Sequence, residues 1–451
     1  MLRVLLILSI HTLYLFAQAL SLNEALSLLK NQNLEVKAAR YDVQSADFSY
    51  DMARAQDYGR LDFTQNISRS NDAGNVFGFK LTSREATFGD FGFADFNPSN
   101  PNILNVKPND LNYPDDRNFF QSKLVYELPL YTGNKLTAYQ NMAKEMKNIS
   151  VLEKEEQLNA KIYEIRKSYF DMALLEGSLK NLERILTNIS RLEEMTKEMI
   201  TEGYAKKIDL LEVQSKKANV KRIISELKSN QELLYHYLSF LLNQEVNEIK
   251  TPQYDLPEPS ITSEEILRDN IDIKKAMTAL KIHENMVIAE ESRYLPTIGA
   301  MAQLQTANDS FLGDAADHAS YTVGVQLTWN LFGGGGDSAA IEKARIQSLK
   351  VQTQTQLAKQ GIALKIKEIQ TKIKTQNTEI ENLKIELNLA KQIYQNYEDR
   401  YKEQLSSMSD VIIKQSSWLE KILQLLKAKN ARNTQIFALE RLGTLSQGNT
   451  L

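Results

Sequence analysis

The sequence contains a transition from a β-strand pattern to a long helical pattern, and this transition occurs twice. In the run Phe120–Gly133, apolar and polar side chains alternate, which is the period of a two-faced strand, and helical spacing begins after the glycine. The same change of period follows the strand pattern that begins at Tyr321. Gly133 corresponds to Gly334 under a constant shift. We therefore predict that the chain is a tandem duplication whose two halves belong to one fold.

Each of these strands is followed by a long stretch without proline. Apolar residues recur there at alternating steps of four and three, along Leu158–Ile189 in the first half and Ile362–Tyr401 in the second. This spacing is typical of helices that pack along one another through a heptad seam. A helix over Asn134–Thr201 would be on the order of 100 Å long at about 1.5 Å per residue. That length exceeds what a compact domain needs.

The predicted organisation is two structural repeats, each with a helix, a strand, a loop, a strand, a long helix, a turn and a return helix. The expected boundaries are a signal peptide at 1–19, a first repeat at 20–248, a proline-rich linker at 249–262, a second repeat at 263–445 and a C-terminal tail at 446–451. In the first repeat we expect strands at 59–69 and 119–132, a long extracellular loop at 70–118 with strand extensions near Val76–Leu81, and a helical hairpin at 134–248 turning near 201–207. In the second we expect strands at 295–306 and 320–332 and a hairpin at 335–443 turning near 402–408.

The N-terminus is predicted to be a signal peptide. Arg3 precedes an apolar run that ends at the small-residue pattern Ala17-Gln18-Ala19, which fits a cleavage site. A membrane anchor is the alternative, but about thirteen apolar residues are too few to span a bilayer as a helix. We therefore expect an exported protein.

Composition excludes several functional classes. The net charge of −3 gives no broad basic surface for nucleic acid, and the absence of cysteine excludes disulfides and thiolate metal sites. The histidines at 236, 283 and 318 have no metal-ligand partners at helical spacing, and Gly333–Gly336 lacks the lysine and Ser/Thr of a phosphate-binding loop. We predict no catalytic site, no metal site and no cofactor.

The four strands of one chain cannot close a barrel, because small closed barrels begin near eight strands. Several copies must contribute strands, so we predict a homo-oligomer. Strands of about ten residues match a tilted crossing of the outer membrane. We expect Leu327 and Trp329 to face lipid and Gln326 and Thr328 to face the channel lumen. Aromatic residues expected to face the membrane are Phe120, Tyr126, Tyr321 and Trp329. The alternative is a soluble periplasmic coiled-coil structural or docking protein.

Short motifs recur in a consistent order along the chain. They are Ser21–Leu26, Asn33–Val36, Leu128–Gly133 with its copy, Glu202-Gly203 and Leu439–Gly443. With these motifs, the chain resembles TolC-type outer-membrane efflux proteins over the whole mature sequence. The resemblance implies an α+β membrane protein: a homotrimer in which four strands per protomer form a 12-stranded barrel, continued by an α-helical periplasmic barrel.

The resemblance also implies a function and partners. The protein would be the passive exit duct of a tripartite efflux pump or a type I secretion system in the Gram-negative outer membrane. Its partners would be a periplasmic adaptor, an inner-membrane transporter and outer-membrane lipid, without nucleic acid.

Residues near the two helix turns match functional positions of that family. Tyr401 matches a gate tyrosine, Asp209 its aspartate partner and Asp410 an aspartate of a constricting ring. Ser406 stands where the family has a gate arginine, and Ile413 stands where a second ring aspartate is expected. The positions that match the adaptor-docking motif are Gly203 and Tyr204 in the first turn and Gln404 and Leu405 in the second. The family glycine is missing from the second turn.

Overall fold

The structure is a computed structural model that describes residues 19–252, 256–311 and 314–443. Nearly all of the predicted signal peptide and the whole predicted C-terminal tail lie outside the described residues. The helices are Leu22–Gln32 (α1), Leu34–Ala55 (α2), Ala73–Thr82 (α3), Asn109–Asn112 (α4), Lys135–Thr201 (α5), Lys207–Leu242 (α6), Ser263–Asp269 (α7), Ile271–Glu291 (α8), Gly336–Lys402 (α9) and Met408–Leu442 (α10). The strands are Arg60–Ser70 (β1), Arg117–Tyr131 (β2), Thr297–Asn308 (β3) and Ser320–Thr328 (β4).

The chain forms two compact units. The sheet unit comprises Ser45–Lys147 and Ala279–Val351. The helical unit comprises the described residues up to Gln44, Asn148–Thr278, and those from Gln352 onward. No helix within the described residues combines the length and the apolar character needed to cross a membrane.

The sheet unit contains one antiparallel sheet in the order β1-β2-β3-β4, so β1 and β4 are its outer strands. Leu124 lies opposite Phe63 on one side and Leu304 on the other, and Leu304 lies opposite Tyr321. Side chains of directly opposed residues project to the same face. The register therefore gathers most of the large apolar side chains of the four strands onto one face and most of the polar side chains onto the other.

In the helical unit, α5 and α6 form one hairpin and α9 and α10 form another. The heptad seams are buried, as expected for packed amphipathic helices. One cluster combines residues of all four helices, among them Leu182, Val220, Tyr401 and Val411, each at most 5% exposed. The turns of both hairpins adjoin this cluster in sequence, so a buried core holds the turns in place.

The element order and lengths recur in the two halves. α5 and α9 each contain 67 residues, while α6 and α10 contain 36 and 35. Left-handed glycines with φ of 62° precede both long helices, at Gly133 and Gly334.

Two asparagines occupy matching places in these halves. Asn33 begins α2, where its side-chain oxygen accepts from the Val36 amide at 2.9 Å and its amide donates to the carbonyl of Leu241 at 2.8 Å. Asn270 does the same at the start of α8, donating to the carbonyl of Leu442 at 2.9 Å. Both asparagines are only 3% exposed. Each side chain therefore satisfies the start of one helix and the end of another.

The segment after β1 corrects one expectation. The strand extensions predicted near Val76–Leu81 are absent, because those residues form α3. Asp72 caps the start of this helix, its carboxylate accepting from the Asn75 amide at 3.0 Å. A side-chain cap of this kind favours helix over strand.

Candidate functional site

The turns between the paired helices have the same backbone in both hairpins. Gly203 has φ of 81° and Gln404 has φ of 62°, so both lie in the left-handed region. In each turn the amide of the next residue donates to a carbonyl five residues earlier, at 2.7 and 2.8 Å. The side chains that follow, Tyr204 and Leu405, are 64% and 62% exposed. The missing glycine of the second turn therefore changes the strain of the turn and not its geometry.

The acidic residues after the two turns cap the helices that start there. Asp410 accepts from the Ser407 hydroxyl at 2.6 Å and from the Ser407 amide at 3.2 Å. These hydrogen bonds lower the pKa of the Asp410 carboxyl. Asp209 accepts from the amide of Lys206 at 2.8 Å. Both carboxylates are thus fixed at the first turn of a helix, where the helix dipole also favours a negative charge.

The hydrogen bond predicted between Asp209 and Tyr401 is absent. Tyr401 is 5% exposed, and its hydroxyl has no hydrogen-bond partner among the described residues. Burial raises the pKa of Tyr401, and the nearby charge of Asp209 acts in the same direction. Asp209 instead bonds the Lys206 amide, because a backbone donor three residues away costs little chain entropy to reach. The side chain of Thr196 lies near the tyrosine hydroxyl and opposes the rise in the pKa of Tyr401.

Two further positions lie where the family pattern has charged residues. Ser406 donates to the carbonyl of Tyr397 at 3.1 Å and so ties its turn to α9 of the same hairpin. Ile413 is 56% exposed and lines a shallow groove with Ile208 and Leu211 at the starts of α6 and α10. Ile413 thus places an apolar side chain where the family pattern has a second ring aspartate.

One contrast between the hairpins escaped the sequence analysis. In the first hairpin Glu193 and Lys217 form an ion pair at 2.8 Å, and hydrogen bonds from Lys217 and Lys197 lower the pKa of Glu193 to about 2. The same shift that relates Gly133 to Gly334 places Tyr394 and Trp418 at the corresponding positions of the second hairpin. Their rings stack with centroids 5.4 Å apart. Aligning the two halves at this shift would have revealed the contrast.

The two faces of the sheet differ sharply in chemistry. On the apolar face Tyr321, Val323 and Leu327 are 81%, 72% and 59% exposed. On the opposite face Asn66 donates to Gln121, which donates to Gln305, at 3.0 and 3.1 Å. A contiguous exposed apolar surface marks contact with lipid or with another protein.

The register also locates the residues predicted to face the membrane. Leu327 lies opposite Ile298 on the apolar face, and Gln326 lies on the polar face. Phe120, Tyr126 and Tyr321 belong to the apolar face. Trp329 follows the end of β4, and its indole nitrogen donates to the carbonyl of Tyr294 at 3.1 Å. Leu327 and Gln326 are thus on opposite faces, as the alternation predicted.

Within the described ranges, no group of three or more histidine, aspartate or glutamate side chains could hold a metal ion. His236 lies 4.0 Å from Glu232, and both are exposed. His318 is half-buried, and one of its ring nitrogens is hydrogen-bonded to the carbonyl of Ser83.

Comparisons with known proteins agree with this architecture. A family model described as outer membrane efflux protein matches residues 262–443. The Campylobacter jejuni CmeC outer membrane channel is 16% identical, covers 95% of this chain and 87% of its own, and has a TM-score of 0.77. The Vibrio cholerae outer membrane protein VceC is 15% identical, with coverages of 94% and 96% and a TM-score of 0.77. The open state of the Neisseria gonorrhoeae MtrE outer membrane channel is 16% identical, with coverages of 94% and 88% and a TM-score of 0.75.

A search of curated proteins found no match to this chain. CmeC and MtrE are both described as outer membrane channels. Residues 262–443 therefore match the outer membrane efflux protein family, in a chain whose fold is that of the CmeC and VceC structures along most of its length.

Proposed function

We propose that this protein is the outer-membrane exit duct of a tripartite efflux pump or a type I secretion system. The observation that carries the proposal is the four-stranded sheet with one exposed apolar face and one polar face. Lipid covers the apolar face, and the polar face lines a water-filled lumen. Three copies supply twelve strands, with β4 of one protomer pairing with β1 of the next.

The helical hairpins continue the duct into the periplasm in this proposal. Their turns form its inner end, where three copies of Asp410 surround the pore. Fixed carboxylates in a narrow passage attract cations, because low-dielectric walls focus their field. The exposed side chains after the turns, Tyr204 and Leu405, lie where a periplasmic adaptor docks. An inner-membrane transporter supplies the energy, since the duct itself catalyses no reaction.

The gate in this proposal depends on buried packing more than on charge. Tyr401 is held in the four-helix cluster without a hydrogen bond to Asp209, and Ser406 offers no positive charge to a neighbouring helix. The closed state is therefore stabilised mainly by apolar contacts around Tyr401. Asp410 contributes selectivity to the pore entrance.

Planar-bilayer recording on the purified protein tests this function. We expect detergent-stable trimers that form cation-selective channels open to block by multivalent cations. Asp410→Asn keeps the capping oxygen but removes the charge, so it should weaken both properties while the trimer persists. Asp399→Asn is a matched control, because Asp399 is an exposed carboxylate on α9 paired with Lys402. A water-soluble protein without conductance would refute the duct and favour the coiled-coil docking protein.

A further inference from the structure

One helix of the sheet unit packs on the polar face of the sheet, at the end where the loops connect the strands. The ring of Phe79 in α3 stacks on the ring of Phe119 in β2, with centroids 4.2 Å apart and planes within 10°. Phe119 lies opposite Ser68 and so belongs to the polar face. Val76 of α3 is 2% exposed, and Ala307 of β3, also on the polar face, is 2% exposed. Apolar contacts therefore cover the polar face here.

Charged contacts hold the end of the same segment against the sheet. Arg117, the first residue of β2, forms an ion pair with Glu85, and both side chains are largely buried. Arg117 lies opposite Ser70, which places it on the polar face beside Phe119. Lys80 within α3 is likewise paired with Asp90. The segment Ala73–Glu85 is thus attached by aromatic stacking at its middle and by an ion pair at its end.

The loop between β3 and β4 adds a third attachment. One ring nitrogen of His318 is hydrogen-bonded to the carbonyl of Ser83, which is fully buried. The other ring nitrogen lies 3.8 Å from a carboxylate oxygen of Glu85. A neutral imidazole can donate from one nitrogen only, whereas an imidazolium donates from both. Both ring nitrogens of His318 thus face acceptor oxygens of the segment.

We propose that the segment Ala73–Glu85 narrows the outer end of the lumen and that protonation of His318 tightens its attachment. This inference rests on the proposed function, which assigns the polar face to the lumen. Glu85 of the segment faces the imidazole and is itself paired with Arg117 of β2, and Asp317 is adjacent to His318 in sequence. Histidine gains its proton in mildly acidic solution, whereas carboxylates titrate lower. The constriction is therefore tighter in acidic surroundings.

A cysteine at Gly78 tests whether the segment lines the lumen. At Gly78 of α3, a Cβ would meet no atom within 4 Å, so a cysteine side chain there would reach open space. The chain has no native cysteine, so a charged thiol-directed reagent would modify this site alone. In planar bilayers we expect a stepwise loss of conductance when the reagent is added to Gly78→Cys. Val323→Cys on the apolar face is the matched control and should be unaffected, since lipid excludes the reagent.

Recordings at about pH 8 and about pH 5.5 test the attachment, because histidine is the side chain that changes charge across this range. Conductance of the unmodified protein should fall at the lower pH. His318→Gln retains a donor for the Ser83 carbonyl but cannot be charged, so its conductance should be the same at both values.

The outcomes separate this inference from the proposed function. Absence of any channel refutes both. Channels in which Gly78→Cys is insensitive to the reagent refute the constriction and leave the duct intact. A pH response that persists in His318→Gln refutes the role of the imidazole.

Discussion

The paired asparagines give the sharpest quantitative prediction. Asn33→Ala removes the cap of α2, which costs about 1 kcal/mol. It also leaves the buried carbonyl of Leu241 without a donor, which costs about 1–3 kcal/mol because that carbonyl belongs to the last turn of α6 and has no intrahelical partner. The free energy of unfolding should therefore fall by about 2–4 kcal/mol per chain. Asn270→Ala should have the same effect, since its contacts and burial match.

Guanidinium unfolding in detergent, followed by circular dichroism of the helices, measures these changes as shifts in midpoint. Asn33→Ser retains a capping oxygen but cannot reach the Leu241 carbonyl, so it should recover only the capping contribution. Asn31→Ala is the control, because the Asn31 amide also donates to a backbone carbonyl, at 3.1 Å, but on an exposed surface. The reasoning is wrong if Asn33→Ala is no more destabilising than Asn31→Ala. Full recovery by Asn33→Ser would show that the bond to Leu241 contributes nothing.

Three further changes test other parts of the structure. Leu327→Arg should block membrane assembly, at a cost of about 2–4 kcal/mol per copy near the bilayer midplane, whereas the Gln326→Arg protein should assemble. Heat-modifiable trimers on gels distinguish the two variants. If only Gln326→Arg blocked assembly, the assignment of the lipid-facing and lumen-facing sides would be reversed. Glu193→Gln should destabilise the protein above about pH 4.5, because the lowered pKa of Glu193 means that its ionised form stabilises the folded state. The difference in stability between the variant and the unmodified protein should disappear as the pH falls toward about 2. Unfolding titrations across this pH range measure that difference. Gln404→Gly should stabilise the protein by about 1 kcal/mol or less, because relief of the left-handed strain exceeds the added entropy of the unfolded chain; a loss of stability would mean that the Gln404 side chain makes a contact that matters.

Periodicity in the sequence was enough to predict the strands and the long helices. The alternation after Phe120 and the steps of four and three after Asn134 each reflect a physical period of side-chain direction, and strand β2 and helix α5 lie close to the predicted ranges. The same alternation placed Leu327 and Gln326 on opposite faces of the sheet. A register shift of one residue would move each side chain to the other face.

The features that the sequence did not predict depend on local competition or on distant contacts. α3 lacks a helical stripe, and its formation depends on the Asp72 cap and on Phe79 packing against a strand that follows later in the chain. The expected contact between Asp209 and Tyr401 required a long-range bond to prevail over a backbone amide three residues away. The attachment of His318 to Ser83 joins residues 235 positions apart, which no single-sequence pattern indicates.

The outer strands of the sheet have a kinetic consequence. An isolated chain presents the unpaired backbone groups of β1 and β4 together with an apolar face, both of which promote aggregation. In the proposed trimer the edge of each β4 pairs only with β1 of another chain. Complete strand pairing therefore requires chains to encounter one another. When chains reach the membrane faster than they assemble into trimers, unassembled chains accumulate. Aggregation of these chains should then be faster than correct assembly. The yield of trimers should depend on the rate of supply to the membrane, and slow delivery by a holding chaperone should raise it even though the final structure contains no chaperone.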